Sequence, residues 1–332
     1  MDRPTRARPA DFRSGFVAGL VGLCALAPLG QVQATTTPPE LPEVQVDSMF
    51  VRYEANSGRG FEQPLGIAID TVNDEIVIAN TGLSRIEYFD RAGHPRGFFV
   101  HRVPASGGAT REGLPKQVAV DARGRLLVCD ALAAFVDICD YRGRSTGRIT
   151  LPAPDDRLDE GNGPGAIGIA PDGRIFVASR GKQSRVHVLD RDGDWLETWG
   201  QTGAVPGQLS VITGMAISPQ GEVFITCIAT DLGVQVFDAK GKYLRGWGEH
   251  DIGPGRFSQP AGIVVTPDAR VWVTDTVRNN MQVFDLAGKL VGTTGGEGPG
   301  AWFYPGALAS DGKGGLALVE MGGKRFRVMW VR

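Results

Sequence analysis

Six residues with polar or reactive side chains each end a similar short apolar run of this chain. They are Asn80, Asp130, Ser179, Cys227, Asp275 and Glu320. Three carboxylates and an amide in such a set are the oxygen donors that calcium takes in proteins, usually six to eight at a time. We therefore expect the top-face ligand to bind at Asn80, Asp130, Ser179, Asp275 and Glu320. Within this set we expect a metal ion, with calcium as the candidate, at Asn80, Asp130, Asp275 and Glu320. The alternative is that the Asp side chains accept backbone N–H groups of the following turn.

Other catalytic patterns are missing from the sequence. Only four histidines occur, at positions 94, 101, 187 and 250. His187 lies inside a predicted strand, and His94 lies in a turn at the other end of the strands from the six residues above. This leaves His101 and His250, which are too few for a three-histidine catalytic zinc site. No GxSxG, HExxH or P-loop motif is present. The residues therefore name no nucleophile and no general base.

The elements that position the six residues come from an internal repeat. Similar units align at Gly66, Gln117, Ala166, Gly214, Gly262 and Gly306, at intervals of 51, 49, 48, 48 and 44 residues. Each unit has a buried apolar run, a turn, a second strand such as VWVTD, an alternating third strand such as MQVFD, and a fourth strand after a glycine turn. Six repeats of four antiparallel strands predict an all-β, six-bladed β-propeller.

In this order of strands, two kinds of loop share one face of the ring. They join the second strand to the third and the fourth strand to the next blade, and we name this face the top face. The six strand-end residues would then lie around the central channel.

The two ends of the chain predict how the ring closes. The last unit stops after a third strand, RFRVMWVR, whereas MFVRYEA at residues 49–55 resembles a fourth strand. We expect this N-terminal strand to complete the sixth blade and to cover an otherwise exposed strand edge.

The strings GRFSQPAGIVV, VWVTDTVRNNMQVFD and YLRGWGEHDIGPGRF resemble NHL repeats, and the resemblance extends over residues 49–332. Unit five matches best, and unit two, with DALAAFVDICD, departs most. The resemblance implies a six-bladed fold. The functions it implies are broader, since exported bacterial members include lyases, hydrolase-like relatives and interaction platforms.

Composition and the N-terminus indicate the compartment. The formal charge of −2 and pI near 6.1 argue against a nucleic-acid binder. Residues 1–34 carry a basic start, the apolar run 16–29 and a small-residue pattern ending at Ala34, which is typical of a secretory signal. The run is short for a membrane span, so we predict that residues 1–34 are removed and that no stable span remains. The protein would then be periplasmic or secreted. The alternative is an uncleaved membrane anchor. An extended linker over 35–48 and the propeller over 49–332 would follow.

Three cysteines remain after the signal. Cys129 and Cys139 lie on adjacent predicted strands and could face each other as a disulfide, as an exported compartment permits. The alternative, favoured for Cys227, is that they are small buried hydrophobic residues.

Two surface features complete the sequence reading. Residues 152–165 form a long acidic segment, either a solvated insertion or a rim for a cationic partner. Trp302, Phe303 and Tyr304 form a run of aromatics that predicts an interface. Together these features favour a rigid platform that binds a protein, peptide or small ligand on its top face, and the alternative is a calcium- or zinc-dependent lyase or hydrolase with its ion in the channel.

Overall fold

The computed structural model describes residues 44, 46–56, 58–151, 163–179, 183–295 and 301–331. Its strands form six sheets of four antiparallel strands and one two-stranded hairpin. The predicted all-β, six-bladed propeller is confirmed. The predicted signal over 1–34 and most of the acidic segment 152–165 lie outside the described residues.

The first strand of each blade lies innermost, because these strands contact one another in a closed ring. Five of the six begin with proline, which a strand tolerates at its first residue, where no ladder hydrogen bond is needed from it. The first strands are Pro64–Asp70 (β2), Pro115–Val120 (β8), Pro164–Ile169 (β12), Val211–Ile217 (β16), Pro260–Val265 (β20) and Pro305–Ser310 (β24).

The second and third strands carry most of the core, and hydrophobic clusters fill the gaps between successive blades. The second strands are Glu75–Asn80 (β3), Leu126–Asp130 (β9), Ile175–Ser179 (β13), Val223–Ile228 (β17), Arg270–Asp275 (β21) and Gly315–Glu320 (β25). The third strands are Arg85–Asp90 (β4), Phe135–Cys139 (β10), Val186–Leu189 (β14), Leu232–Phe237 (β18), Asn280–Asp285 (β22) and Arg325–Val331 (β26).

The fourth strands form the outer rim. In blades one to five they are Pro95–Val100 (β5), Ser145–Thr150 (β11), Trp195–Trp199 (β15), Tyr243–Glu249 (β19) and Leu290–Gly295 (β23). In blade six the fourth strand is Val46–Arg52 (β1), which pairs antiparallel with β26. The predicted closure by the N-terminal strand is therefore confirmed, and this strand begins at Val46, inside the stretch predicted as linker.

Between blades one and two the chain adds an element that the repeat did not predict. Arg102–Pro104 (β6) and Thr110–Glu112 (β7) pair as a short hairpin, with a 3-10 turn over Ser106–Gly108. A second 3-10 turn, Thr81–Leu83, joins β3 to β4. In the described part of the chain, no helix is long and apolar enough to span a membrane.

The cysteine prediction needs a correction. Cys129 lies opposite Val136, whereas Cys139 lies opposite Leu126, and the three cysteines of the described chain are buried and form no disulfide. Residues three apart on a strand point to opposite faces, so Cys129 and Cys139 face opposite sides of blade two. A disulfide between them does not form in this fold.

Candidate functional site

The strand-end residues predicted to bind a ligand lie at the top-face ends of the second strands, one strand outward from the channel. Asp275 shows their role: its carboxylate accepts hydrogen bonds from the backbone N–H of Ser258 at 2.7 Å and of Gln259 and Arg278 at 3.2 Å. The side chain is fully buried. It therefore holds the loop that enters blade five, in addition to the turn that follows.

Two corresponding residues of other blades, Asn80 and Glu320, are engaged in the same way. Asn80 accepts from the N–H of Glu62 at 2.9 Å, and Glu320 accepts from the N–H of Phe303 at 2.9 Å and from the side chains of Arg325 and Arg327. Ser179 contacts the loop ahead of β14, and Cys227 is buried among apolar residues. Each side chain is bound to its own blade or to the loop that enters it.

The structure brings together a group other than the strand-end set. Within the described residues, His101, Asp137 and Cys139 are the His, Cys, Asp and Glu side chains that lie close enough to share an ion. Calcium binding at Asn80, Asp130, Asp275 and Glu320 thus stays a prediction, while the alternative, carboxylates that accept backbone N–H groups, describes the contacts seen at Asp275 and Asp130.

A second set of buried polar residues lies at the centre of the third strands. In blade four the side chain of Gln235 accepts from the N–H of Gly207 and donates to the carbonyl of Gln208, both at 2.7 Å. In blade five Gln282 makes the equivalent pair of bonds to the loop before β20. The residues at this register position are Glu87, Asp137, His187, Gln235, Gln282 and Arg327, and we name the set the loop anchors after Gln235 and Gln282. The side chains of His187 and Arg327 bond Thr198 of β15 and Glu320. Sequence reasoning missed the loop anchors, although a polar residue inside each otherwise apolar third strand was a visible signal.

Blade two carries the charged form of this arrangement. The imidazole of His101, which follows β5, lies between two carboxylates: Nδ1 is 2.8 Å from Oδ2 of Asp130 and Nε2 is 3.3 Å from Oδ2 of Asp137. Asp130 also accepts from the N–H of Leu132 at 2.7 Å, and Ser145 donates to Oδ1 of Asp137 at 2.5 Å. The residues His101, Asp130 and Asp137 are at most 2% exposed.

Burial and hydrogen bonding shift the pKa values of His101, Asp130 and Cys139. Burial opposes charge on His101, yet its hydrogen bonds to Asp130 and Asp137 raise its pKa to about 11. Burial also opposes charge on Asp130, but the bonds from His101 and from the backbone hold its pKa below the usual value. Burial raises the pKa of the Cys139 thiol. Blade two therefore holds a buried imidazole between two carboxyl groups, next to a buried thiol.

The top face is also rich in exposed apolar side chains. Fifteen large hydrophobic residues are exposed in the described chain. Nine of them lie in the top-face loops or at the top-face end of a first strand. These nine are Tyr53, Leu114, Leu132, Val205, Val211, Ile252, Val277, Phe303 and Tyr304. They come from the five junctions other than the one between blades two and three, most of which lies outside the described residues, so the apolar character is spread around the described part of the face.

The predicted aromatic interface needs one correction. Phe303 and Tyr304 are 51% and 46% exposed, and their rings meet edge to face at 5.2 Å. Trp302 is only 5% exposed and packs in the core between blades five and six, over Gly295. Its large ring fills an inter-blade gap, so Trp302 is a core residue and the exposed pair begins at Phe303.

Arg325 connects this exposed pair to the next loop. Its guanidinium lies over the ring of Tyr53 at 5.3 Å and donates to the Tyr53 hydroxyl at 2.6 Å, while another nitrogen binds Glu320. A desolvated cation over an aromatic face is a favourable contact. Tyr53 is therefore held in place while remaining 53% exposed.

Comparison with known proteins agrees with this architecture. The NHL repeat model matches residues 257–284, which run from the loop before β20 through most of β22, so the resemblance of unit five is confirmed. No curated protein matches the chain's sequence significantly.

Solved structures show the same fold at low identity. A gluconolactonase from Xanthomonas campestris is 16% identical, with a TM-score of 0.60, over 88% of this chain and 91% of that one. A virginiamycin B lyase from Staphylococcus aureus is 16% identical, with a TM-score of 0.56, over 84% and 82%. A streptogramin B lyase is 15% identical, with a TM-score of 0.58, over 87% of each chain. The chain is thus a six-bladed propeller with an NHL repeat in its fifth blade.

Proposed function

We propose that this propeller is a binding platform whose top face takes a peptide or a segment of a protein, in an exported compartment. The observation that carries the proposal is the set of nine exposed apolar residues on that face. Within this set the rings of Phe303 and Tyr304 lie 5.2 Å apart, and clustered exposed aromatic side chains are enriched at interaction sites and carry much of their binding energy.

The polar groups beneath the face support binding over catalysis. Asp275, Glu320 and Asn80 use their oxygens to hold inter-blade loops. A side chain that must keep a loop in place is a poor general base, because its lone pairs are already taken by N–H donors. These contacts make the top face rigid, and a rigid surface loses little entropy on binding.

The chemistry of the partner follows from the exposed side chains. Phe303, Tyr304 and Tyr53 are exposed beside Arg325, which lies over the Tyr53 ring and pairs with Glu320. This part of the face offers aromatic rings next to a guanidinium. A segment with apolar or aromatic side chains would pack against these rings.

The experiment selects binders from a random-peptide display library on the purified protein. We expect the double variant Phe303→Ser/Tyr304→Ser to weaken the selected peptides at least tenfold, about 1.4 kcal/mol. The matched control is Trp195→Ser/Leu196→Ser, which removes two equally exposed residues from the outer strand β15. Enrichment of no peptide, or equal loss of binding in both variants, would contradict the proposal.

A second candidate function rests on the named structural neighbours. Because they include a gluconolactonase and two B lyases, this chain is also a candidate for a metal-dependent hydrolase or lyase whose ion lies near Asn80, Asp130, Asp275 and Glu320. The test measures hydrolysis of gluconolactone, and melting temperature, in EDTA and in excess calcium. Calcium-dependent turnover that is lost in Asp275→Asn supports this candidate. No turnover and no calcium-dependent rise in melting temperature would exclude calcium catalysis of this reaction.

A further inference from the structure

A compact group of metal-binding side chains lies inside the joint between blades one and two. One donor atom each from His101, Asp137 and Cys139 lies within 4.8 Å of the others, and the three residues are 1–2% exposed. We propose that these three residues supply three of the four tetrahedral ligands of a zinc ion that ties blade two to blade one.

The donor set is one that zinc prefers. Zinc binds thiolate sulfur, imidazole nitrogen and carboxylate oxygen, at about 2.3, 2.0 and 2.1 Å. Two such N and O ligands at a tetrahedral angle lie about 3.4 Å apart. Nε2 of His101 and Oδ2 of Asp137 are 3.3 Å apart, so the imidazole and the carboxylate already have the spacing of ligands to one ion.

The surrounding contacts are those of a supported metal site. A zinc-binding histidine usually donates its other ring N–H to a carboxylate, which fixes the ring orientation. Here Nδ1 of His101 faces Asp130 at 2.8 Å and leaves Nε2 directed at Asp137. The ligating carboxylate is held in turn by Ser145. A Cβ at Gly113 would lie 2.2 Å from Asp130 and 2.9 Å from Nδ1 of His101, so the backbone closes tightly around this pair.

The backbone of His101 places the site across the joint. Its N–H donates to the carbonyl of Ser84 in blade one at 2.8 Å, and its carbonyl accepts from Gly113 at 2.9 Å. Its side chain reaches Asp130 and Asp137 of blade two. An ion on Nε2 would therefore connect the two blades through one residue.

Cys139 differs in residue type from the residues at the same position of the other third strands. Register along the third strands makes Asp137 equivalent to the other loop anchors, and Cys139 lies two residues further on. The residues equivalent to Cys139 are all large and apolar: Phe89, Leu189, Phe237, Phe284 and Met329. Only blade two places a thiol there, on the same face as its anchor carboxylate.

Zinc binding is balanced by the release of protons. Zinc takes the place of a proton on Nε2 of His101 and of the proton on the Cys139 sulfur, and both protons go to solvent.

The experiment uses the full purified chain, stripped with EDTA and then titrated with cobalt(II) as a spectroscopic substitute for zinc. We expect one equivalent to bind and to produce a near-ultraviolet thiolate-to-cobalt charge-transfer band, and zinc to displace the cobalt. Cys139→Val should abolish the band. Cys227→Val, which alters another buried cysteine in blade four, should retain it.

Further variants separate a site from a nearby structural effect. Asp130→Asn should weaken zinc about 10- to 100-fold while leaving the cobalt band in place, because Asp130 orients His101 without touching the ion. Each variant is compared with the wild type for its β-sheet circular dichroism. Absence of stoichiometric metal binding by the wild type, or a thiolate band that survives in Cys139→Val, would overturn the proposal.

Discussion

At the scale of single residues, the buried polar side chains of this propeller serve as partners for loop backbone. The described inter-blade loops contain N–H and C=O groups that leave water when the blades pack, and a buried group without a partner costs about 1–3 kcal/mol. The side-chain amides of Gln235 and Gln282 each accept from the N–H of one loop residue and donate to the C=O of another. Such a side chain has a structural reason to be polar in an apolar strand.

His187 fills this position in blade three and predicts a pH effect. Burial, reinforced by nearby Arg185, lowers its pKa from 6.5 to about 4. The unfolded chain therefore binds a proton before the folded chain does, and stability is lost as pH falls from 6.5 towards 4. The expected loss from this residue is about 2 kcal/mol at about pH 5 relative to neutral pH.

The measurement is urea unfolding of the wild type and His187→Gln at several pH values. Glutamine occupies the equivalent position in blades four and five, so the variant should fold and should show a smaller loss of stability on acidification. His250→Gln, at an exposed position, is the control. Equal acid sensitivity of wild type and His187→Gln would show that His187 does not titrate in this way.

The residue scale is also where sequence reasoning was least complete. The positions of Asn80, Asp275 and Glu320 followed from the repeat, but their hydrogen-bond partners did not, because these come from loops 16–18 residues earlier in the chain. His101 and Asp137 are 36 residues apart. No local spacing connects such residues, so the buried group in blade two required the structure.

At the scale of elements, the blades join through the turns between third and fourth strands. In blade five Asp285 accepts from the N–H groups of Ala287 and Lys289, both at 2.9 Å. Gly288 completes the turn with a φ of +89°, in the left-handed region that favours glycine. The turn then packs beneath Trp247 of blade four.

Gly288→Ala should therefore destabilise the fold for two reasons. The left-handed backbone costs about 1 kcal/mol for an alanine, and the new Cβ would lie 2.5 Å from the Trp247 ring, which adds about 1–3 kcal/mol of overpacking. Gly221→Ala is the matched control, since its φ is +84° and no atom lies within 4 Å of its Cβ position. Urea unfolding should show a larger loss for Gly288→Ala. Equal losses would mean that Trp247 moves aside without cost.

This turn also explains why the elements were predictable. An Asp, a Gly three residues later and alternating apolar residues around them recur in five blades, at Asp90, Asp140, Asp190, Asp238 and Asp285. The facing of individual strands was harder to predict. Of the two alternatives for Cys129 and Cys139, the disulfide fails because the residue opposite Cys129 is Val136, three positions from Cys139, and an odd shift moves a side chain to the other face. The β6–β7 hairpin lies outside the repeat and left only a longer interval between units one and two.

At the scale of the whole molecule, stability depends on closing the ring between the two ends of the chain. The strand β1 covers the edge of β26, and Phe50 packs against Phe326 at 5.8 Å and over the Gly93 turn of blade one. The N–H of Val44 adds a bond to the carbonyl of Thr293 in blade five at 2.9 Å. One segment thus contacts blades five, six and one.

Deletion of residues 46–52 should therefore lower the melting temperature of the entire propeller in a single transition, because it opens the ring and does not simply shorten one blade. A synthetic peptide of residues 41–54, added in excess, should restore much of the loss by binding the folded form at the vacant edge, as any ligand specific to the native state does. The same peptide with Phe50→Ser should restore less, since it lacks the ring that packs on Phe326. Thermal unfolding followed by circular dichroism measures all three. An unchanged melting temperature after deletion would refute closure by β1, whereas a loss that neither peptide reverses would mean that the open ring no longer keeps the edge of β26 in its native form.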